Sequence, residues 1–179
     1  LSSEQKRMWF TYKIDVCNPY YNVVFALRLT QEKEYKEIEK VLYNIISHNA
    51  ILHSIILDVD GFLFQAVQKD YKLNIMYIPE SSCTDIFLQE KMMDMKKIPF
   101  DLEEEIPIKF AVVGNKTVIC LVHHIAIDGW SMGLFKQQFE AEILGQTEYV
   151  ISEPYSSYVI WQNKQDYSRE KLYWKGQLE

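Results

Sequence analysis

The feature that most constrains the fold of this chain is the segment IKFAVVGNKTVICLVHH at residues 108–124. Two β-rich runs are separated by Gly114-Asn115, which is typical of a hairpin turn. The second run is apolar at successive positions, and successive side chains of a strand point to opposite faces. Both faces of this strand must therefore be covered, which predicts a central strand in a sheet flanked by helices.

The rest of the sequence mixes helical and strand patterns without strict alternation. An apolar stripe predicts a helix over residues 31–48, and Asp60-Gly61 between two apolar runs predicts a second hairpin over 54–68. Further predicted elements are an opening helix over 2–12 capped by Ser2 and Ser3, strands over 23–29 and 73–78, and helices over 85–97, from Ser131, and from about Tyr155 to the end. The mixture favours an α/β (α+β) fold with a mixed β-sheet flanked by helices.

Charge and cysteine content exclude several classes of protein. With 19 basic and 25 acidic residues the net charge is −6, which does not favour nucleic acid or an anionic membrane. Cys17, Cys83 and Cys120 are odd in number and widely spaced, unlike a disulfide framework or a thiolate zinc site, so we expect a reducing cytoplasm. No apolar run has the length of a membrane span. The chain starts at Leu1, so we expect it to begin inside a longer protein.

The segment HHIAIDGWSMGLF, residues 123–135, holds the candidate chemistry. If the strand continues through both histidines, His123 and His124 point to opposite faces, so one enters the packing and the other emerges at the strand end. Asp128 and Gly129 then precede a predicted helix, capped by Ser131, whose first backbone N–H groups can face developing negative charge. Imidazole exchanges protons near neutrality, which makes this strand end the candidate site.

These residues have three alternative uses. Two hydrogen-bonded histidines with a purely structural role are the simplest alternative. A metal could bind His124 and Asp128, but adjacent histidines on opposite faces cannot share one ion and no third ligand is visible nearby. A covalent nucleophile is the third alternative, but Cys120 lies about 13 Å along the strand from His124 and Ser131 is better explained as a cap. A histidine that acts directly on a bound substrate remains.

These residues also carry a family resemblance. HHIAIDG resembles the H-H-x-x-x-D-G motif of the condensation domains of non-ribosomal peptide synthetases, in the chloramphenicol-acetyltransferase-like superfamily. Three further landmarks in the same order are similar to motifs of these domains: LSSEQKRMWF with NPYYN near the start, PFDLEEEIPIKFAVV at 99–113, and PYSSYVIWQ at 154–162 with LYWKGQL at 172–178. The resemblance covers essentially the whole chain.

The resemblance implies that residues 1–179 are the amino-terminal lobe of a condensation domain, and that a second lobe is absent. Such domains form a peptide bond between a carrier-bound donor acyl or peptidyl thioester and a carrier-bound acceptor aminoacyl thioester. The implied partners are the donor and acceptor carrier domains, which bear the phosphopantetheine, the missing lobe, and an adenylation domain. We expect the isolated lobe to be inactive, to bind no cofactor itself, and to self-associate through uncovered apolar surface.

Carried over residue by residue, the resemblance gives His124 the position in the tunnel between the lobes. His123 and Asp128 match positions regarded as structural, and Gly129 matches the glycine whose N–H can face the substrate. His124 either accepts the proton of the attacking amine or orients that amine. Alternatives are an epimerization domain, which shares the motif, and a catalytically degenerate module that only docks carriers.

Two departures from the family pattern concern supporting residues. SHNAILH at 47–53 has Leu52 where an arginine usually pairs with the motif aspartate, so Asp128 must find another partner. Ser157 stands where an aspartate is usual. His48 and His53 are interpreted as capping and packing residues. Trp9, Trp161 and Trp174 are interpreted as packing residues and not as groups that stack on a ligand. Trp130 has two interpretations, as a residue that lines the tunnel or as part of an interface between the lobes.

Overall fold

The computed structural model describes residues 1–79, 84–146 and 153–178. Cys83 therefore lies outside the described residues. The strands are β1 (Asn22–Arg28), β2 (Ser54–Val59), β3 (Phe62–Val67), β4 (Asn74–Ile78), β5 (Ile108–Val113) and β6 (Thr117–His123). A mixed four-stranded sheet has the order β1-β6-β5-β4, with only β4 and β5 parallel, and β2 and β3 form a separate hairpin.

Six α-helices surround these strands in the part of the chain that the structure describes. They are α1 (Ser3–Ile14), α2 (Tyr35–His48), α3 (Asp85–Lys96), α4 (Gly129–Ile143), α5 (Tyr155–Asn163) and α6 (Ser168–Leu178). A short 3₁₀ turn over Ala50–His53 connects α2 to β2. The predicted α/β class with a mixed sheet flanked by helices is confirmed.

Strand β6 is the centre of the sheet, as its sequence predicts. All of its residues are buried, and it pairs with β1 on one side and β5 on the other. Gly114 takes a positive φ of 54° in the turn between β5 and β6, a conformation that glycine adopts without steric cost. The predicted hairpin is thus confirmed.

The two faces of the sheet are covered by different helices. Along β1, Asn22 donates to carbonyls at the end of α3 and Arg28 pairs with Asp85 of α3. Phe25, at the opposite parity, makes an edge-to-face ring contact with Phe135 of α4 at 5.9 Å. Because side chains alternate along a strand, α3 lies on one face of the sheet and α4 on the other.

Helix α2 buries the predicted stripe but starts at Tyr35 instead of Gln31. The reason lies in the residues before it: Leu29 N–H donates to Lys116 O at 2.8 Å and Lys33 N–H to Asn115 O at 2.9 Å. This segment is hydrogen-bonded to the turn between β5 and β6 and is not available to the helix.

The hairpin β2–β3 turns at Asp60 and Gly61, as predicted. Their φ values are 52° and 80°, which the Asp-Gly pair favours in a tight turn. One face of this hairpin is entirely apolar and consists of the opposed pairs Ile55–Ala66, Leu57–Phe64 and Val59–Phe62, of which the last two pairs are exposed. The other face packs toward the core through residues such as Ile56.

The carboxy-terminal region forms two helices, where the sequence predicted one helical stretch. The helices are separated at residues 164–167, and Asp166 Oδ1 accepts from Ser168 N–H at 3.0 Å at the start of α6. Helix α5 is attached to α1, because Gln162 Oε1 accepts from Ser3 N–H at 2.9 Å. Helix α6 is exposed along its whole described length. None of the helices in the described ranges is long and apolar enough to span a bilayer.

The histidines outside the motif have structural roles, whereas the tryptophans differ in burial. His48 Nδ1 lies 2.7 Å from Asn44 O at the end of α2, and His53 Nδ1 lies 2.8 Å from Gln68 O, so both structural interpretations are confirmed. Trp9 is buried as predicted. Trp161 and Trp174 are more than half exposed, so the prediction that they pack inside this chain is wrong.

Candidate active site

The two histidines stand where β6 ends and a turn begins. His123 is the last residue of β6, and residues 124–126 form the turn. His124 N–H donates to Tyr21 O at 2.7 Å, and Ala126 N–H donates to His123 O at 3.0 Å. The strand therefore stops one residue earlier than the prediction assumed, but the two side chains still enter different surroundings.

His123 is a buried, neutral packing residue. Its side chain lies on the α3 face of the sheet, where its ring contacts Tyr21 at 5.9 Å and Phe100 at 6.0 Å. Its Nδ1 accepts from Ile125 N–H at 3.2 Å, which places the proton on Nε2. Burial, and secondarily the nearby His124, lower the pKa of His123 to about 4. His123 therefore holds the turn and does not exchange protons near neutrality.

His124 lies at the wall of an open cavity of about 670 Å³. The cavity is bounded by the histidine turn, the first half of α4, the start of α1, the 3₁₀ turn and α5. Its lining residues are Glu4, Gln5, Met8, Ile51, Leu52, His124, Ile125, Ala126, Ile127, Asp128, Ser131, Leu134, Phe135, Gln138, Glu153, Tyr155 and Tyr158. Most of these side chains are apolar or aromatic, with a few polar groups, as is typical of a ligand site.

The Nδ1 atom of His124 is buried and has no hydrogen-bond partner among the described residues. Since protein atoms enclose Nδ1, any hydrogen bond between this ring and a ligand in the cavity involves Nε2. The Nε2 atom donates in one neutral tautomer of imidazole and accepts in the other.

Asp128 is the N-cap of α4, which corrects the prediction that Ser131 caps this helix. Asp128 Oδ1 accepts from Ser131 N–H at 2.8 Å and from Ser131 Oγ at 2.6 Å. These bonds, foremost the one from the Ser131 side chain, lower the pKa of Asp128, and the nearby His124 adds to the effect. The carboxylate thus finds its partner in the helix, in place of an arginine at position 52.

Leu52 itself is buried at the cavity wall. An apolar side chain therefore stands where the family pattern has an arginine, next to Ile51 in the 3₁₀ turn. This makes the wall opposite α4 more apolar than the motif alone suggests. An apolar group fits this part of the cavity better than a charged one.

Gly129 and Trp130 begin α4 and lie at its exposed end. Neither contributes to the lining of the cavity, although Asp128 and Ser131 on either side do. A methyl group added at Gly129 would meet open space. The structure thus places Gly129 beside the cavity, as the first residue of a helix N-terminus.

The rival chemistries can be tested against this geometry. The described residues hold no group of three or more His, Cys, Asp or Glu side chains able to bind a metal. Cys120 is completely buried, and burial raises the pKa of its thiol, so it is inert as a nucleophile. The Ser131 hydroxyl is bonded to Asp128, whose lowered pKa makes it a weak base.

Several residues that line the cavity were not predicted from the sequence. Tyr155 belongs to one of the landmark motifs without a predicted role, yet it lines the cavity and donates to Ser2 Oγ at 3.0 Å. Burial raises the pKa of its phenol. Ile51 and Gln138 carried no signal at all, because they reach the cavity only through the packing of distant segments. A signal was available for Gln5, which belongs to the first landmark.

Comparison with known proteins shows the family of the chain. The family model described as "Condensation domain" matches residues 1–179. The probable non-canonical nonribosomal peptide synthetase CymA of Salinispora arenicola is 27% identical over 199 residues, covering 99% of this chain and 2% of that protein. Bacitracin synthase 3 of Bacillus licheniformis is 27% identical over 189 residues, covering 99% of this chain and 3% of that protein.

Solved structures show the same fold. The first condensation domain of the CDA synthetase superposes with a TM-score of 0.81 at 19% identity, covering 98% of this chain and 49% of that chain. The starter condensation domain of rhizomide synthetase RzmA gives a TM-score of 0.80 at 18% identity, covering 97% and 46%. The chain thus spans about half the length of these solved domains and a small fraction of its curated relatives. By its match over residues 1–179, the chain belongs to the condensation-domain family, with the chloramphenicol-acetyltransferase-like fold.

Proposed function

We propose that residues 1–179 form the amino-terminal lobe of a condensation domain that makes peptide bonds in non-ribosomal peptide synthesis. The observation that carries the proposal is the cavity of about 670 Å³ that receives the His124 ring at the end of a central strand. Membership of the condensation-domain family supports the same reaction. A second lobe, outside this chain, would supply the other wall of the site.

The reaction joins two thioesters carried on phosphopantetheine arms. The acceptor amine attacks the carbonyl carbon of the donor thioester, the C–N bond forms, and the C–S bond breaks. The sulfur leaves as a thiol that takes up the proton lost by the amine. Because an α-amine has a pKa of about 7.7–8.0, a useful fraction is already neutral at cytoplasmic pH. Positioning of the two reactants therefore supplies much of the acceleration.

His124 acts in this proposal through its Nε2 atom, which positions the reactants. The support is its enclosed Nδ1, which lacks a partner among the described residues and leaves Nε2 as the ring nitrogen for a ligand. The Nε2 atom can donate to the thioester carbonyl oxygen in one tautomer, or accept from the N–H of the attacking amine in the other. His123 keeps the turn in place through Ile125 N–H, and Asp128 fixes the start of α4.

Gly129 would contribute its backbone N–H to the donor carbonyl oxygen. It is the first residue of α4, so its N–H is among those that a helix leaves free at its N-terminus. The amide dipoles of the helix favour negative charge at this end. An oxygen that becomes negative during attack is stabilised there.

The partners of the lobe follow from the proposed reaction. Donor and acceptor carrier domains deliver the phosphopantetheine-bound substrates, the second lobe closes the tunnel, and an adenylation domain of the same synthetase loads a carrier. The lobe itself needs no bound cofactor for this reaction. The compartment proposed is the cytoplasm, where the exposed Cys17 thiol would stay reduced.

The test uses the complete condensation domain that contains this sequence, with donor and acceptor carriers loaded separately. We expect a condensed product only when both carriers are present, and His124→Ala to lower kcat by about 10²-fold or more. His124→Gln, which keeps an N–H donor but cannot act as a base, should retain part of the activity. Unchanged turnover of His124→Ala would contradict the role of His124. Absence of product from the native domain with both carriers loaded would favour a module that only docks carriers. Inversion of a residue on a single carrier would indicate epimerization.

Gly129 offers a matched pair of variants. Gly129→Pro removes the backbone N–H at the first helical position, where proline is well tolerated, and the preceding Asp128 already has the extended backbone that a proline requires. Gly129→Ala keeps the N–H and places its methyl in open space. We expect kcat to fall in the proline variant only. An equal kcat in both variants would contradict the role of this amide.

A further inference from the structure

Gln5 uses its side-chain amide to connect α1 to the histidine turn. Its side chain is buried, with 4% of the residue exposed. Its Oε1 accepts from Ser2 N–H at 3.0 Å, and its Nε2 donates to Ile125 O at 3.1 Å and to Gln65 Oε1 at 3.4 Å. The amide thus bonds to three separate segments.

The contact with Ile125 matters because this residue directly follows His124. Ile125 N–H is already held by Nδ1 of His123, and Ile125 O is held by Gln5. Both polar groups of Ile125 are therefore fixed by side chains. Since the backbone of His124 lies between these contacts and the end of β6, a shift of Ile125 moves the His124 ring.

Capping alone does not explain a glutamine at this position. In the capping box of α1, Ser2 Oγ accepts from Gln5 N–H at 3.1 Å and the Gln5 side chain accepts from Ser2 N–H. Glutamate serves equally well in this motif, because the motif needs only an acceptor. The Nε2 atom faces two acceptors, Ile125 O and Gln65 Oε1, and a carboxylate there would repel both. The contact with Ile125 accounts for the amide.

Gln65 is oriented toward Gln5 by a second set of bonds. Its Nε2 donates to Ser54 Oγ at 3.2 Å, and Ser54 Oγ donates to Ala50 O at 2.6 Å. The Oε1 atom of Gln65 is then the one that remains for Gln5. The hairpin β2–β3 and the 3₁₀ turn are joined through this chain to the same amide.

We propose that Gln5 is a positioning residue for His124, which holds the turn after the histidine at Ile125 O so that the imidazole keeps its place in the cavity. The proposal rests on the function proposed above, because that function gives the position of the ring its role. The hydrogen bond from Gln5 and its effect on the ring do not depend on that function. Gln5 acts on His124 through the turn, by its bond to Ile125 O.

The decisive variant is Gln5→Glu, which keeps the acceptor for Ser2 N–H and removes the donor to Ile125 O. In the 179-residue chain we expect the ring ¹⁵N and ¹³C signals of His124 to shift and the Ala126 amide to exchange faster. Gln65→Met is the matched control, because it removes the weaker contact in the same network and leaves the bond to Ile125. It should leave the His124 signals in place.

In the complete domain, Gln5→Glu should lower kcat by about 10- to 100-fold, the range for a small misplacement of a reacting group, and leave KM for both carriers unchanged. Native His124 signals and native kcat in a folded Gln5→Glu variant would overturn the proposal. So would an equal shift of the His124 signals in Gln65→Met, because the effect would then belong to the network as a whole.

A measurement on the unaltered chain keeps the proposal testable if the variant does not fold. The Nε2 protons of Gln5 should exchange with solvent much more slowly than those of an exposed glutamine, and exchange at the exposed rate would overturn the proposal. The two proposals also fail separately. A shifted His124 ring in Gln5→Glu, combined with full turnover of His124→Ala, would support the positioning by Gln5 and contradict the proposed function.

Discussion

Asp128 Oδ1 accepts two hydrogen bonds from Ser131, one from the backbone N–H at 2.8 Å and one from Oγ at 2.6 Å. The pair closes the first turn of α4 directly after the histidine turn. It gives the motif aspartate a partner without the arginine that the family pattern places at Leu52. The aspartate therefore fixes where the helix starts, and through it the position of the Gly129 N–H.

The first prediction concerns the size of this capping effect. Asp128→Ala should lower the free energy of unfolding by about 1 kcal/mol, within the range of about 0.5–2 kcal/mol known for N-cap substitutions. Ser131→Ala keeps the N–H bond and loses only the hydroxyl, so its effect should be smaller. Urea unfolding of the two variants measures both. A larger loss for Ser131→Ala than for Asp128→Ala would show that the cap is assigned to the wrong residue.

The same cap has a pH dependence. The pKa of Asp128 is lowered from 3.8 in the folded chain, so the unfolded chain binds the proton first as the pH falls. The contribution of the carboxylate is therefore fully present above the unfolded value and is lost as the pH falls through the folded value. Asp128→Asn keeps a good cap that does not titrate. The difference in unfolding free energy between the native chain and this variant should change only below about pH 4.

His123 gives a second, separate pH dependence. Its pKa falls from 6.5 to about 4 on folding. Between these values the unfolded chain binds more protons, so the free energy of unfolding decreases as the pH falls from 6.5 toward 4, by at most about 3 kcal/mol. His123→Gln supplies an acceptor for Ile125 N–H but does not titrate. The curves of unfolding free energy against pH should diverge for the two chains over this interval, and parallel curves would contradict the assignment.

The sequence predicted the parts of the fold that depend on local patterns. Alternation along β6 separates the surroundings of His123 and His124, and the Asp60-Gly61 pair gives the hairpin turn. These predictions succeed because neighbouring residues in the chain determine them. The predicted start of α2 was wrong because the residues before it are hydrogen-bonded to a distant turn. The predicted cap of α4 was wrong for a local reason, because the helix already starts at Gly129 and Asp128 caps it by bonding to Ser131.

The lining of the cavity shows more clearly which features local sequence patterns do not predict. Ile51, Tyr155 and Gln138 come from three distant segments, and only the packing of α5 and the 3₁₀ turn around the histidine turn brings them together. The contact between Gln5 and Ile125 is of the same kind, with partners 120 positions apart along the chain. No spacing rule along the chain predicts such a pair. The chemistry of the motif was visible in the sequence, but its supporting residues were not.

Cys120 provides a test of the core around the motif. It lies on β6 and is completely buried, whereas Cys17 is exposed. In a chain with Cys17→Ser and Cys83→Ser, the remaining thiol should react with a thiol reagent only at the rate at which the chain unfolds or opens. Labelling should become fast in denaturant. Fast labelling of the native chain, with the native circular dichroism spectrum retained, would show that β6 is not the closed centre of the sheet.

The self-association expected for an isolated lobe can be assigned to one surface, the apolar face of the hairpin β2–β3. Phe62 is 70% exposed and Phe64 is 53% exposed, each directly opposite another apolar residue of β2. A contiguous patch of this kind favours association in water.

We expect the 179-residue chain to associate reversibly in sedimentation experiments. The double variant Phe62→Lys with Phe64→Lys should weaken the association by about tenfold or more, equivalent to about 1.4 kcal/mol. Tyr20→Lys, at an aromatic side chain that is 80% exposed outside the hairpin, is the control and should have no effect. A chain that stays monomeric at high concentration, or an equal effect of Tyr20→Lys, would contradict a role for this face.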